Sequence, residues 1–256
     1  MTMPKTVLIT GASSGIGRAL ALEYAKSGAK VAMVARRREL LDALAEEVRA
    51  AGGEPLVLVA DVTQSENVHN AVTDAIAAFG GLDMVIANAG VGGTKHAKDL
   101  SWGFSEKMID ANVNGAIATL TAAIPHMVKR GSGHLVGVSS LAGIRALPNS
   151  AVYSASKAAL STFLEAIRID LRKSGVNVTD VQPGFVTTPM TDKNKFKMPF
   201  KWPVEKAAKV ITERLQKVPS VIAFPWPLVT ALRIARLLPD ALYERIVGGA
   251  DPRGVL

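Results

Sequence analysis

The sequence predicts an α/β fold: a single domain on a parallel, doubly wound sheet of about seven strands, with helices on both faces. Three observations lead there. Short apolar runs alternate with helical stretches along most of the chain. The first run feeds a glycine-rich turn that opens a helix. Polar and small residues gather where the apolar runs end, the edge at which such sheets bind ligands.

The chain opens with a short buried strand at Lys5–Thr10, which ends in Thr10-Gly11-Ala12-Ser13-Ser14-Gly15-Ile16-Gly17. The helical pattern Arg18–Ser27 follows. In this context backbone N–H groups and a helix N-terminus hold phosphate, and glycines let the backbone come close to it. The spacing is GxxxGxG rather than GxGxxG. Lys30–Ala35 is the second strand. Where an acidic residue would bond a ribose 2′-hydroxyl, the chain has Arg36-Arg37-Arg38. Arg36 is suited to a 2′-phosphate through forked, charge-assisted hydrogen bonds. A helix runs from Glu39 to Ala51. The third strand, Pro55–Val62, ends in Asp61-Val62, and a helix follows at Ser65–Phe79 with Ser65 as its cap. Met84–Ala87 is the fourth strand, ending in Asn88-Ala89-Gly90. A long helical segment, Trp102–Arg130, contains Asn112. The fifth strand, His134–Ser139, ends at Ser140. A helix then carries Tyr153 and runs to about Lys173, followed by a sixth strand at Asn177–Val181 and by Pro183-Gly184. Ser220–Phe224 supplies the seventh strand.

Tyr153 and Lys157 are four residues apart, so on a helix they stack one turn apart on one face. A free tyrosine has a pKa of about 10 and is a poor acid–base catalyst at neutral pH. A cation held nearby stabilises tyrosinate and lowers that value. The pair is therefore suited to proton exchange in alcohol–carbonyl chemistry. Taken alone it is also compatible with an ordinary helix surface.

Composition sets the outer bounds. Of 256 residues, 48% are hydrophobic and 20% charged, enough apolar material for a sizeable core. There is no cysteine, which excludes a disulfide framework and Cys-ligated metal and fits a reducing compartment. His69, His96, His126 and His134 show no metal-ligand spacing. The first residues run straight into a strand with no long apolar stretch, so no signal peptide is expected. No apolar run reaches the roughly 20 residues that span a bilayer. The net charge of +8 favours anionic partners, phosphate-bearing cofactors among them. The basic residues are not interleaved as in a nucleic-acid stacking platform, and no nucleic-acid partner is expected.

The ordered set of motifs resembles the short-chain dehydrogenase/reductase family, whose fold is of the Rossmann type. The resemblance covers about Lys5 to Thr188. It is carried by Thr10–Gly17, Asp61-Val62, Asn88-Ala89-Gly90, Asn112, Ser140, Tyr153 with Lys157, and Pro183-Gly184-x-Val186-x-Thr188. Ala87 departs from the pattern, since the family usually has a second Asn there. The resemblance implies the roles that follow. Tyr153 is the acid/base. Lys157 lowers its pKa and holds the nicotinamide ribose. Ser140 bonds the carbonyl oxygen. Asn112 bends its helix and holds a water in a proton relay. Gly11, Ser13, Ser14, Gly15, Ile16 and Gly17 line the pyrophosphate turn. Asp61 and Val62 frame the adenine, and Asn88, Ala89 and Gly90 are cofactor-binding as well. Pro183, Gly184, Val186 and Thr188 meet the carboxamide. With Arg36 in place of an acid, the implied cofactor is NADP(H). A homodimer or homotetramer is implied as well, with the Tyr153 and Asn112 helices at the contact, and Phe163, Ile167 and Leu171 mark the Tyr153 helix.

Beyond the cofactor and catalytic core at 1–188, the chain is read as a substrate lid at 189–219 and a C-terminal strand and helix extension at 220–256. Met190–Pro203 mixes lysines with Phe196, Met198, Phe200 and Trp202, which suggests a lid over a fairly hydrophobic carbonyl or alcohol substrate. Trp226–Leu238 is helical, with Leu228, Val229, Leu232, Ala235 and Leu238 on one face. That face packs on the protein, or else it lies weakly on a membrane surface through a peripheral contact. The expected location is cytoplasmic. A competing function is a catalytically silent, NADP-sensing regulator on the same fold, and the intact Ser140, Tyr153 and Lys157 argue against it.

Overall fold

The computed structural model describes residues 3–194 and 196–248. Lys195 of the lid segment and residues 249–256 of the C-terminal extension lie outside the described residues. In chain order the elements are β1 (Thr6–Thr10), α1 (Gly15–Ala25), β2 (Lys30–Ala35), α2 (Arg38–Ala50), β3 (Glu54–Val59), α3 (Ser65–Phe79) and β4 (Met84–Ala87). They continue with α4 (Trp102–Ile109), α5 (Gly115–Arg130), β5 (Gly133–Val138), α6 (Ala151–Asp170), β6 (Val176–Pro183), α7 (Val204–Leu215), β7 (Val221–Phe224), α8 (Trp226–Leu237) and α9 (Asp240–Gly248).

The seven strands form one sheet in the order β3-β2-β1-β4-β5-β6-β7, and every neighbouring pair is parallel. The order reverses between β1 and β4, and there the crossover loops leave in opposite directions and open a crevice. Alternation along the strands splits the core in two. Val7, Ile9, Val31 and Met33 join Leu20, Tyr24, Leu41, Leu44, Ile211 and Leu215 from α1, α2 and α7. Leu8, Ala32, Val85 and Leu135 join Val72, Leu120, Leu160 and Leu164 from α3, α5 and α6. Both faces of β1 are covered, and all five of its residues are buried, as its unbroken apolar run requires.

Most element ends shift by a few residues, and three differences bear on the site. The third strand stops at Val59 instead of Val62, because the Asp61 side chain accepts bonds from the Thr63 N–H and hydroxyl and turns the chain out of the sheet. Ser65 does not cap α3: it is the first helical residue, and the cap position belongs to Gln64 without a side-chain bond. The segment Trp102–Arg130 is not one α-helix. Asp110–Asn114 forms a π turn between α4 and α5, with Asn112 at its centre.

Candidate active site

The carboxyl ends of the strands open into a cleft of about 670 Å³. Of the predicted site residues, all but Gly17 and Asn112 line it. Those two lie behind its wall and build it.

The cofactor side is organised by Thr10 and Asn88. The Thr10 hydroxyl accepts from the backbone N–H groups of Asn88 (3.1 Å) and Ala89 (3.2 Å), and Asn88 Nδ2 donates to the Thr10 carbonyl at 2.9 Å. These bonds draw the turn after β1 against the end of β4. Gly11 has φ +69°, and a Cβ there would stand 2.7 Å from Ala89 Cα. A Cβ on Gly17 would stand 2.5 Å from Asn88 Nδ2 and from the Gly11 carbonyl oxygen. The approach is therefore possible only for glycine at both places. α1 begins at Gly15, with no acidic residue in its first turn and no side-chain cap from Ser14, so its first N–H groups suit an anion.

At the far end of the cleft Arg36 is largely exposed, with Nη1 3.5 Å from Asp61 Oδ2. Burial pushes the Asp61 carboxyl up, but hydrogen bonds from Thr63 and the Arg36 guanidinium outweigh it and hold the carboxyl below its usual range. Arg37 was not among the predicted site residues. Its Nη2 donates to the hydroxyls of Ser13 (2.9 Å) and Ser14 (3.4 Å), so a second guanidinium faces the glycine-rich turn. The signal was the run of three arginines itself. Which of them would face the cleft depends on where β2 ends and α2 begins.

On the catalytic side, Ser140 follows β5. Its hydroxyl accepts from the Ala142 N–H at 3.1 Å and lies 3.4 Å from the Pro183 carbonyl oxygen. Tyr153 and Lys157 occupy successive turns of α6, with the Lys157 Nζ 5.9 Å from the Tyr153 ring centre. Lys157 is buried, and its Nζ donates to the Val138 carbonyl at 2.9 Å. Burial pulls the lysine from 10.5 to about 8, against an opposing pull from the Asp180 carboxylate. Burial raises the Tyr153 phenol above its ordinary value, and a hydrogen bond with Ser140 works the other way. Lys157 was expected to lower Tyr153. In this geometry burial dominates, and the ammonium is turned toward the Val138 carbonyl.

Asn112 is fully buried. Its amide bonds both backbone groups of Val91 and donates to the Ser156 hydroxyl at 3.0 Å, which ties the loop after Gly90 to α6.

Two segments flank the cleft beyond Ser140 and Thr188. Leu141, on the turn after Ser140, packs with Ile144 and Leu147 against Leu228, Val229 and Leu232 of α8. The apolar face of the C-terminal helix thus lies on the protein. α9 is fastened to the same loop: Tyr243 OH donates to the Ala146 carbonyl at 2.5 Å, and Arg145 pairs with Asp240 at 2.6 Å. The other segment follows Thr188. Met190 reaches across to Gly92, where a Cβ would meet its sulfur at 2.9 Å. Phe196 meets Phe185 edge-on at 6.0 Å, and Trp202 stacks on Phe224 at 4.9 Å. Within the predicted lid region, Val204–Leu215 is α7, whose Ala207, Ala208, Ile211 and Leu215 are buried in the core. Phe163, Ile167 and Leu171 lean on the core beneath α6. The exposed residues of that helix are instead Ala151, Ala155, Ala159, Thr162, Glu165, Ala166, Ile169 and Asp170. Among the described residues no cluster of His, Asp or Glu could hold a metal ion, and no helix is long and apolar enough to cross a membrane.

The chain is similar to known proteins in sequence and in fold. A family model described as short chain dehydrogenase matches residues 5–198. An uncharacterised oxidoreductase of Myxococcus xanthus (strain DK1622) is 48% identical over 242 residues, 94% of this chain and 95% of its own. An alcohol dehydrogenase from the archaeon Thermococcus sibiricus, solved with 5-hydroxy-NADP, is 29% identical, with a TM-score of 0.77 over 86% of this chain and 94% of its own. A short chain dehydrogenase/reductase from Burkholderia phymatum, solved with NAD, is 25% identical, with a TM-score of 0.85 over 98% of this chain and 97% of its own.

Proposed function

The chain belongs to the short chain dehydrogenase family and is an oxidoreductase, and from that premise we propose that it interconverts a carbonyl and a secondary alcohol on a fairly hydrophobic substrate, with NADP(H) as cofactor. The observation that carries this reading is the convergence of Ser140, Tyr153 and Lys157 with the glycine-rich turn in one cleft.

The residues present fit the nucleotide. The turn at Gly11–Gly17 packs against the end of β4 because Cβ atoms are missing at Gly11 and Gly17, and the first N–H groups of α1 would hold a pyrophosphate. Arg36 and Arg37 would hold a 2′-phosphate, Asp61 and Val62 the adenine, Tyr153 and Lys157 the nicotinamide ribose, and Val186 and Thr188 the carboxamide. When bound, the reduced cofactor supplies a hydride to the carbonyl carbon. Tyr153 gives its proton to the carbonyl oxygen as that oxygen gains the electron pair of the C=O bond. Ser140 donates a hydrogen bond to the same oxygen and stabilises the charge developing on it. Lys157 stands behind Tyr153 and returns a proton to it from solvent. The alcohol product keeps both the hydride and the proton, so the balance closes with one oxidised cofactor. Val91, Pro189 and Met190, which line the cleft, favour an apolar substrate body. The chain is further proposed to act as a homodimer or homotetramer, joined through the outward face of α6.

The test is a panel of ketones, aldehydes and alcohols followed by NADPH absorbance, run on wild type and on Tyr153→Phe. Turnover by wild type that disappears in Tyr153→Phe, while NADPH still binds, supports the reading. A Tyr153→Phe protein with more than a small fraction of the wild-type rate overturns it. The same holds if NADPH binds but no substrate is converted, which would favour the silent sensor.

A further inference from the structure

Beneath α6, one face of the sheet reads Val176, Val178, Asp180 along β6 and Leu135, Gly137, Ser139 along and just past the end of β5. The first members of each series are core: Val176, Val178 and Leu135 pack with Leu160 and Leu164 of α6, and Gly137 lies directly under Leu164. Strand alternation puts Asp180 and Ser139 on that same face, one step nearer the cleft. Lys157 precedes Leu160 and Leu164 on the same face of α6. Where the pattern calls for another aliphatic residue, the chain therefore carries a carboxylate that is only 3% exposed.

Asp180 is hydrogen-bonded but not ion-paired. Ser139 Oγ donates to its Oδ1 at 2.5 Å and Gln182 Nε2 to its Oδ2 at 2.7 Å. Among the described residues no cation lies within salt-bridge distance of it. A buried carboxylate is costly unless a positive charge is in reach. The buried cation here is Lys157, only 5% exposed, whose Nζ is bonded to the carbonyl of Val138, the residue before Ser139.

We propose that Asp180 is the buried counter-charge of Lys157, a positioning residue that keeps the ammonium protonated behind Tyr153 without touching substrate or cofactor. This rests on the oxidoreductase reading above. The electrostatics point the same way: burial weakens the hold of Lys157 on its proton, and Asp180 opposes that effect. The other charged or titratable groups near Lys157 are few. Tyr153 shares its helix. Lys107 and Asp110 line the same cleft from α4 and the π turn, as Arg36 and Asp61 do from the strand ends beyond β1. β5 brings only His134, at the strand's opposite end and bonded to Thr179.

The experiment is a pH titration of the full-length protein labelled with ¹³C-lysine, the Lys157 resonance being assigned by its loss in Lys157→Arg. Asp180→Asn and Asp180→Ser remove the charge, and either serves if the other does not fold. Ser139→Ala keeps the charge and removes a hydrogen bond. Wild-type Lys157 is expected to titrate near pH 8. The neutral variants should titrate about one pH unit lower, a roughly tenfold loss of proton affinity, and Ser139→Ala should follow wild type. The alkaline limb of the kcat/KM profile should move with the resonance. Neutral variants that titrate with wild type overturn the proposal. So does Ser139→Ala moving as far as they do, because the effect would then belong to packing. If the resonance shifts as stated but wild type converts no carbonyl or alcohol, the catalytic role fails while the charge coupling stands, so the two failures are told apart.

Discussion

The Asn112 amide grips Val91 at both of its backbone groups: Oδ1 accepts from the Val91 N–H at 2.7 Å, and Nδ2 donates to the Val91 carbonyl at 3.0 Å. The side chain is fully buried in the π turn and also bonds Ser156. Asn112→Leu keeps much of the volume and removes every one of these bonds. It is expected to lower stability by roughly 2–4 kcal/mol, because buried backbone groups lose their partners. Urea denaturation measures this, and an unchanged midpoint would remove the clamp from the account.

Cofactor preference should depend on two arginines. Each makes or stands ready for charge-assisted bonds worth roughly 1.5–3 kcal/mol. Arg36→Ala and Arg37→Ala should each lower kcat/KM for NADPH about tenfold or more and leave NADH nearly unchanged. Arg36→Asp should reverse the preference. Equal use of both cofactors by wild type sinks the NADP(H) assignment.

Acid should destabilise the fold through His134. Burial lowers its pKa from 6.5 to about 4, and its Nε2 lies 2.8 Å from the Thr179 hydroxyl. Between those values the unfolded chain binds a proton that the folded chain refuses. Stability is thus complete above pH 6.5 and declines as pH falls toward 4, by about 3 kcal/mol in all. His134→Gln can keep a bond to Thr179 and has nothing to titrate. Its melting temperature should fall less than that of wild type over this window. Parallel curves would show that the acid sensitivity lies elsewhere.

Removing Pro225–Leu256 should harm folding. Val229, Leu232 and Tyr243 are buried, and their loss would bare Leu141 and Leu147. Fully burying such side chains contributes roughly 1.5–3 kcal/mol each. The truncated protein is expected to melt well below wild type or to be insoluble. A truncated protein with wild-type melting behaviour would show that the arm is an accessory.

Assembly is tested by light scattering. The outward face of α6 bears Ala155, Ala159, Thr162 and Ala166 beside an Ile169 that is 67% exposed, with Glu165 at its edge. A mass of at least twice 26.9 kDa is expected at micromolar concentration. A monomer mass contradicts the proposal. Ile169→Glu should shift an assembled protein toward monomer.

What could be read in advance follows a physical line. Features that depend on local pattern were legible. The strand runs, the glycine-rich turn and the Tyr153–Lys157 spacing rest on periodicity and on side-chain type, and the cleft gathers the residues so named. Features that depend on an unseen neighbour were not. Asp61 lies outside its strand because it bonds Thr63, and Phe163 and Ile167, only partly buried, lean on the core beside Leu160 and Leu164. Arg37 needed the end of β2 placed to within one residue before its side chain could be aimed. Asp180 sits in an apolar run, and its meaning appears only once Ser139 and Lys157 are brought beside it.

The strand order carries a consequence for how the sheet can grow. β2 and β3 add in turn to one edge of β1, and β4 through β7 add in turn to the other. No strand has to be inserted between two that have already paired. A chain emerging from its N-terminus can therefore extend the sheet by edge addition alone, one crossover at a time. Each parallel partner joins through a crossover that carries at least one helix, and the entropy of closing it grows only slowly with its length. The cleft is completed last, when β6 and β7 bring Gly184 and the C-terminal arm up to Leu141.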